Sequence, residues 1–152
     1  MSAADGTVDL MTRPHPWRDL RALAHVTLHL TADLGPGVWG ATDGARRIWL
    51  DKGLTQRERR STLAHELEHL RRGHTGCQDP ATERAVEAAA ARYLLPEIRE
   101  IADALVWAGC HLDTAADELW VDEQLLRARL EHLHPAERAI LVERLGRVEV
   151  WA

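Results

Sequence analysis

The sequence predicts an α+β domain: a small antiparallel sheet followed by a helical C-terminal half. Three observations predict it. Up to residue 51 apolar residues tend to alternate, whereas from residue 55 onward they recur at helical spacing. Helix caps and prolines punctuate the second part about once per helix. The chain has 152 residues, 45% of them hydrophobic and 28% charged, enough for one core but not for two large ones.

Residues 1–14 are polar and interrupted by Gly6 and Pro14, so a flexible tail is expected there. A single domain then fills residues 15–152, with the sheet and the first helices over 15–108 and a helical part over 109–152. In "PWRDLRALAHVTLHL" a short helix gives way to a strand, where Val26, Leu28 and Leu30 alternate with Thr27 and His29. "GPG" at 35–37 is a turn. "VWGATDGARRIWLD" reads as a hairpin with Asp43-Gly44 at its tip and Ile48, Trp49 and Leu50 in the return strand. The six tryptophans are expected in core and hairpin packing.

The helical half begins at Thr55. Glu58 stands three residues on, completing a capping box, and Gly73 is a natural C-cap. Asp79-Pro80 opens the next helix, with Asp as N-cap and Pro at the first helical position. Its alanine-rich run should pack closely against a neighbour. Pro96 closes it and opens a helix over 97–108; three more are expected near 113–119, 123–133 and 136–148.

Bulk properties exclude several functions. A formal net charge of -5 argues against a general nucleic-acid or membrane-surface binder. No apolar run approaches the roughly 18 residues of a membrane span. The N-terminus lacks a basic start and an apolar block, so no secretory signal is read there. Two cysteines, Cys77 and Cys110, are too few for a disulfide framework, and a reducing cytoplasmic setting is expected. The segment "DTAADELWVDEQLLRARLEHL" resembles a helix-turn-helix, with Leu119, Val121, Leu125, Leu126 and Leu130 as its core. Residues 111–134 carry six acids against two arginines, however, which reads as a packing bundle or a partner-docking surface rather than a DNA reader.

One stretch carries chemistry. "STLAHELEHLRRGH" contains His65-Glu66-x-x-His69. On a helix the two histidines lie about 40° apart, one turn above the other, beside the apolar stripe of Leu63, Leu67 and Leu70. Imidazoles at i and i+4 can aim at a common point, as a zinc ion with Zn–N near 2.0–2.1 Å requires. Glu66 lies on the shoulder, placed to reach a water as general base rather than to ligate. The fold class is therefore zincin-like, with the H-E-x-x-H helix beside the sheet.

A catalytic zinc needs a third protein ligand and one open position. Cys77 reads as a small loop residue, and Asp79 is occupied as a cap. Glu83 and Glu87, one turn apart on the next helix, are the better pair. We assign Glu83 to the metal and Glu87 to the free N–H of a ligand histidine, with the reverse assignment left open. His74 is expected in the loop after the helix C-terminus, where positive charge is favoured. An oxyanion donor is not evident: Tyr93 projects about 80° off the ligand face, leaving His25, His29, His111 or an arginine.

"TLAHELEHL" followed by "ERAVEAAAARYLLP" resembles the ImmA/IrrE-type metallopeptidases, the phage-immunity and stress-response zinc proteases, and most closely the short versions of actinobacteria and their phages. In that resemblance Glu83 falls on the family's metal-ligand glutamate and Glu87 on its Asn/Asp position. Val86 stands where Ala is usual, and Ala89 where Phe is usual. "IWLD" leading toward "ERR" also looks like the family's strand into the active-site helix. The likeness covers about residues 17–133. It implies a zinc metalloendopeptidase with one Zn2+ per chain: His65, His69 and Glu83 on the metal, Glu66 catalytic. The implied partner is a helix-turn-helix repressor of a phage or mobile element, with no direct nucleic-acid or membrane binding. The edge strand expected near Ile48 to Asp51 would pair with an extended substrate. The alternative is a non-catalytic zincin-fold regulator that binds a repressor or another protein.

Overall fold

The structure, a computed structural model, describes residues 13–149. Residues 1–12 of the expected tail lie outside them. The element order is α1 (Pro16–Ala22), β1 (Thr27–Thr31), β2 (Gly40–Thr42), β3 (Arg47–Asp51), α2 (Gln56–Arg71), α3 (Pro80–Leu94), α4 (Ile98–Trp107), α5 (Leu112–Glu118), α6 (Glu123–Glu131) and α7 (Pro135–Glu149).

The sheet is mixed, not antiparallel. Its order is β1-β3-β2, with β3 antiparallel to β2 and parallel to β1. The hairpin expectation holds for β2 and β3, a local pairing set by their connection. The place of β1 depends on the long loop that follows it. That loop carries the chain past β3, so β3 takes the middle, and its Ile48 and Leu50 are fully buried. The expected edge at Ile48 to Asp51 is thus a central strand, and β2 is an edge instead. Leu30, expected inward, is 51% exposed because β1 runs beyond the core that receives Val26 and Leu28.

The hairpin tip also differs. A two-residue type I′ turn needs positive φ at both central residues. Here Gly44 has φ 76, but Asp43 is not among the positive-φ residues. Asp43 instead accepts the N–H groups of Ala45, Arg46 and Arg47 on Oδ1 at 2.8–3.0 Å, closing a wider loop. Those backbone donors hold its carboxyl at about 2.

The helix α2 starts with the expected capping box, Thr55 and Glu58 each bonding the other's backbone N–H. It separates two cores. Leu63 and Leu67 pack with Ile48 and Leu50 on the sheet side. Ala64 joins Ala90 and Ala91 of α3 in the larger helical core. Each fully buried leucine or isoleucine contributes roughly 1.5–3 kcal/mol, while alanines on the opposite face let α3 approach closely. In the C-terminal part Val121 and Leu126 are fully buried, Leu125 nearly so, and Leu119 and Leu130 pack against the same cluster. Three tryptophans depart from expectation, Trp107 and Trp120 at 67% and 63% exposed and Trp39 at 38%, whereas Trp17 packs on the sheet-side core, Trp49 is half-buried in β3 and Trp151 lies outside the described residues. Trp120 adopts φ 59, and Arg60 of α2 donates to its carbonyl at 3.0 Å. Among the described residues, no helix is long and apolar enough to cross a membrane.

Behind α6 lies an ion cluster built on one buried arginine. Arg129, 1% exposed, donates to Leu95 O at 2.7 Å and to Glu137 Oε1 at 2.6 Å. Arg92 donates to both Glu137 oxygens at 3.2 Å, and His134 N–H to Oε2 at 3.0 Å. The bonds from Arg129, then from Arg92 and the His134 N–H, hold the Glu137 carboxyl well below the usual carboxylate range. Removing one partner of such a pair strands the other charge, so Glu137→Gln is expected to destabilise the chain by about 3 kcal/mol or more at neutral pH in denaturant unfolding. A depressed folded-state pKa stabilises above the unfolded value and loses that stabilisation as pH falls. The gap between wild type and Glu137→Gln should therefore narrow as pH drops below the usual carboxylate range.

Candidate metal centre

Helical periodicity stacks His65 and His69 on the face of α2 that lies between the two cores. The Asp79 cap and Pro80 fix the start of α3, so Glu83 sits in its first turn, and the Ala64, Ala90 and Ala91 contact brings that turn alongside α2. The three side chains converge. His65 Nε2 and His69 Nε2 are 3.0 Å apart, and Glu83 Oε2 lies 3.4 Å and 3.3 Å from them. Ligand atoms around a tetrahedral ion with bonds near 2.0–2.1 Å sit roughly 3.3 Å from one another, so the trio fits the donor set of a zinc ion. His69 is 7% exposed, and burial, then the neighbouring His69, push the His65 imidazolium down, toward the neutral form that ligates.

Glu87 lies one turn beyond Glu83 in the wall of the same cleft, and it makes no hydrogen bond to either histidine. Burial, then the charge of Glu83, pushes its carboxyl up. The ring nitrogen of His69 that faces away from the trio meets His74 instead, Nδ1 to Nδ1 at 3.0 Å. Cys77 is exposed and stands outside the trio, and Asp79 is engaged in capping Thr82 N–H at 2.9 Å.

Glu66 is 5% exposed and lines a cleft of about 360 Å³ that also holds His65, Glu83 and Glu87. Burial, then the charge of Glu83, pushes its carboxyl up to about 8. A cation at the trio would act in the opposite sense and favour the ionised form. One wall of the cleft is Val38, Trp39 and Gly40 leading into β2; the opposite wall is the start of α6 with Asp122, Gln124 and Leu125. Asp122 N–H donates to Ser61 Oγ at 3.1 Å, which ties the start of α6 to α2.

Two cleft residues were missed in the sequence. A Cβ on Gly40 would meet Thr62 Cγ2 at 2.6 Å and Glu66 Cγ and Oε1 at 3.0 Å, so β2 approaches α2 more closely than a side chain permits. The glycine itself was the available signal, because a lone glycine inside a strand marks close backbone approach. Gln124 stands in the cleft wall, and nothing in its sequence setting marked it. The oxyanion candidates lie elsewhere. Tyr93 donates to Asp19, and burial followed by that bond puts its hydroxyl at about 12. His29 bonds Thr27 Oγ1 at 3.0 Å and stacks on Trp49, and His111 is the N-cap of α5. None of these, nor His25, lines the cleft.

A family model described as Peptidase_M78, IrrE N-terminal-like domain, matches residues 22–139. No curated protein and no solved structure matches the chain.

Overpacking the β2–α2 contact should be measurable. Gly40→Ala is expected to cost about 1–3 kcal/mol in denaturant unfolding. A Cβ at Gly37, whose φ is 73, meets nothing within 4 Å, so Gly37→Ala should lose only backbone preference, about 1 kcal/mol or somewhat more.

Proposed function

Because the chain belongs to the IrrE N-terminal-like family of metallopeptidases, we propose that it is a zinc-dependent endopeptidase acting on one specific protein. One observation carries the reading: three donor atoms within 3.4 Å of one another, with a buried carboxyl beside them in an open cleft. A purely structural zinc would be closed by a fourth protein ligand. Among the described residues the ligand cluster comprises His65, His69 and Glu83 and no fourth member.

His65, His69 and Glu83 would hold the ion. When bound, zinc supplies Lewis acidity toward a peptide carbonyl and a water. Glu66 takes the proton of the attacking water on its carboxylate and passes it to the leaving amine. The Gly40 contact fixes its side chain against β2, so the carboxyl keeps its aim. The substrate lies extended along the free edge of β2. Trp39 and Asp43 turn backbone groups to β3, through Asp51 N–H to Trp39 O at 2.8 Å and Asp43 N–H to Arg47 O at 3.2 Å. By the alternation of an antiparallel ladder, Gly40 then turns its N–H and C=O away from β3, free to bond a peptide. The resemblance supports a helix-turn-helix repressor of a phage or mobile element as that peptide, cleaved to relieve repression.

The purified protein is expected to hold one zinc per chain by elemental analysis. Glu66→Gln should keep that zinc and cleave a co-expressed repressor about 10²–10⁴ times more slowly. If Glu66→Gln relieves repression in cells as well as the wild type does, the peptidase reading fails and a non-catalytic regulator takes its place.

A further inference from the structure

We propose that His74 is a positioning residue of the metal centre: it accepts the Nδ1–H of His69 and so holds His69 with its Nε2 lone pair toward the ion. The proposal rests on the zinc reading of the trio and adds to it a residue beyond the ligands and the general base.

The end of α2 generates the contact. Gly73 N–H donates to Leu70 O at 3.1 Å and His74 N–H to His69 O at 3.1 Å, with Gly73 at φ 68. This bond pair is the Schellman motif, which lays the second residue past the cap over the last-turn residue whose carbonyl it binds. Those two positions usually share a hydrophobic contact. Here they are His74 and His69. Their rings lie 5.2 Å apart at 63°, with the two Nδ1 atoms 3.0 Å apart.

Two ring nitrogens at that distance need one proton between them. A neutral histidine that ligates through Nε2 carries its proton on Nδ1. His69 is therefore the donor and His74 Nδ1 the acceptor, so His74 carries its own proton on Nε2. The hydrogen bond fixes both the tautomer and the ring orientation of His69, as outer partners of metal-bound histidines do elsewhere.

His74 is itself held from the sheet side. A Cβ on Gly44 would fall 2.4 Å from His74 O and 2.9 Å from its carbonyl carbon. The β2–β3 loop thus packs backbone to backbone on His74, where no side chain fits. The loop that leaves α2 is pinned at its cap by the Schellman bonds and on its flank by Gly44.

The test is zinc affinity, measured by competition with a chelator on the full-length protein. His74→Leu restores the usual apolar contact of the motif, so folding is preserved, but it cannot accept a hydrogen bond. His74→Asn keeps an acceptor oxygen. We expect His74→Leu to bind zinc about 10–100-fold more weakly than wild type, with the melting temperature of the metal-free protein unchanged, and His74→Asn to recover most of the loss. If His69→Ala loses zinc while His74→Leu binds as tightly as wild type, the positioning role is overturned and the site stands. If His74→Asn is as weak as His74→Leu, acceptance at this position is overturned as the cause. If the wild type binds no zinc, or His69→Ala binds it unchanged, the zinc reading itself fails and this proposal with it.

Discussion

Three lone-pair-bearing atoms are held within 3.4 Å of one another at the edge of a packed core. In this crowding a shared proton serves only two of the atoms at a time, whereas a cation would serve all three. The crowding persists because the scaffold over-determines it. Leu63 and Leu67 lock α2 to the sheet, and Ala64 locks it to α3, so the ligand face between them cannot rotate away. The three donors are thus held where an ion would fit, as a built site requires.

The rest of the molecule supports that geometry from two directions. From the sheet, Gly40 and Gly44 bring backbone against α2 and the loop after it, aligning Glu66 and His74. From the helical part, the Arg129–Glu137 cluster ties α6 to α7 and to the end of α3. That fastening matters for the cleft because α6 forms its far wall. Of the two helices that resemble a helix-turn-helix in the sequence, α6 forms one side of the groove.

Much of this was legible in the residues. The boundaries of α2 and α3 were announced by local chemistry: the Thr55–Glu58 capping box, Gly73, Asp79-Pro80 and Pro96. Local bonds form regardless of what packs later, so they can be read one segment at a time. The spacing of His65 and His69 was equally local. Glu83 was reachable because a cap sets its helix and one turn sets its direction. The sheet order was not reachable. Hairpin signals pair neighbours, and nothing in the alternation of Val26, Leu28 and Leu30 says which edge β1 joins. Nor did the tryptophans reveal their exposure, since size and apolarity alone do not say whether a neighbour exists to cover them.

The sequence by itself determined an α+β chain with two histidines and a glutamate on one helix and a carboxylate pair on the next. Tertiary structure decided which partner each of them meets. It set Glu83, not Glu87, against both histidines. It gave the outer nitrogen of His69 to His74 through a helix cap, and it made β2 rather than β3 the free edge beside Glu66. The reason is physical. Caps and periodicity act over a few residues, whereas the crossing of α2 with α3, and of α2 with β2, is set by alanines and a glycine whose small size matters only once two backbones meet.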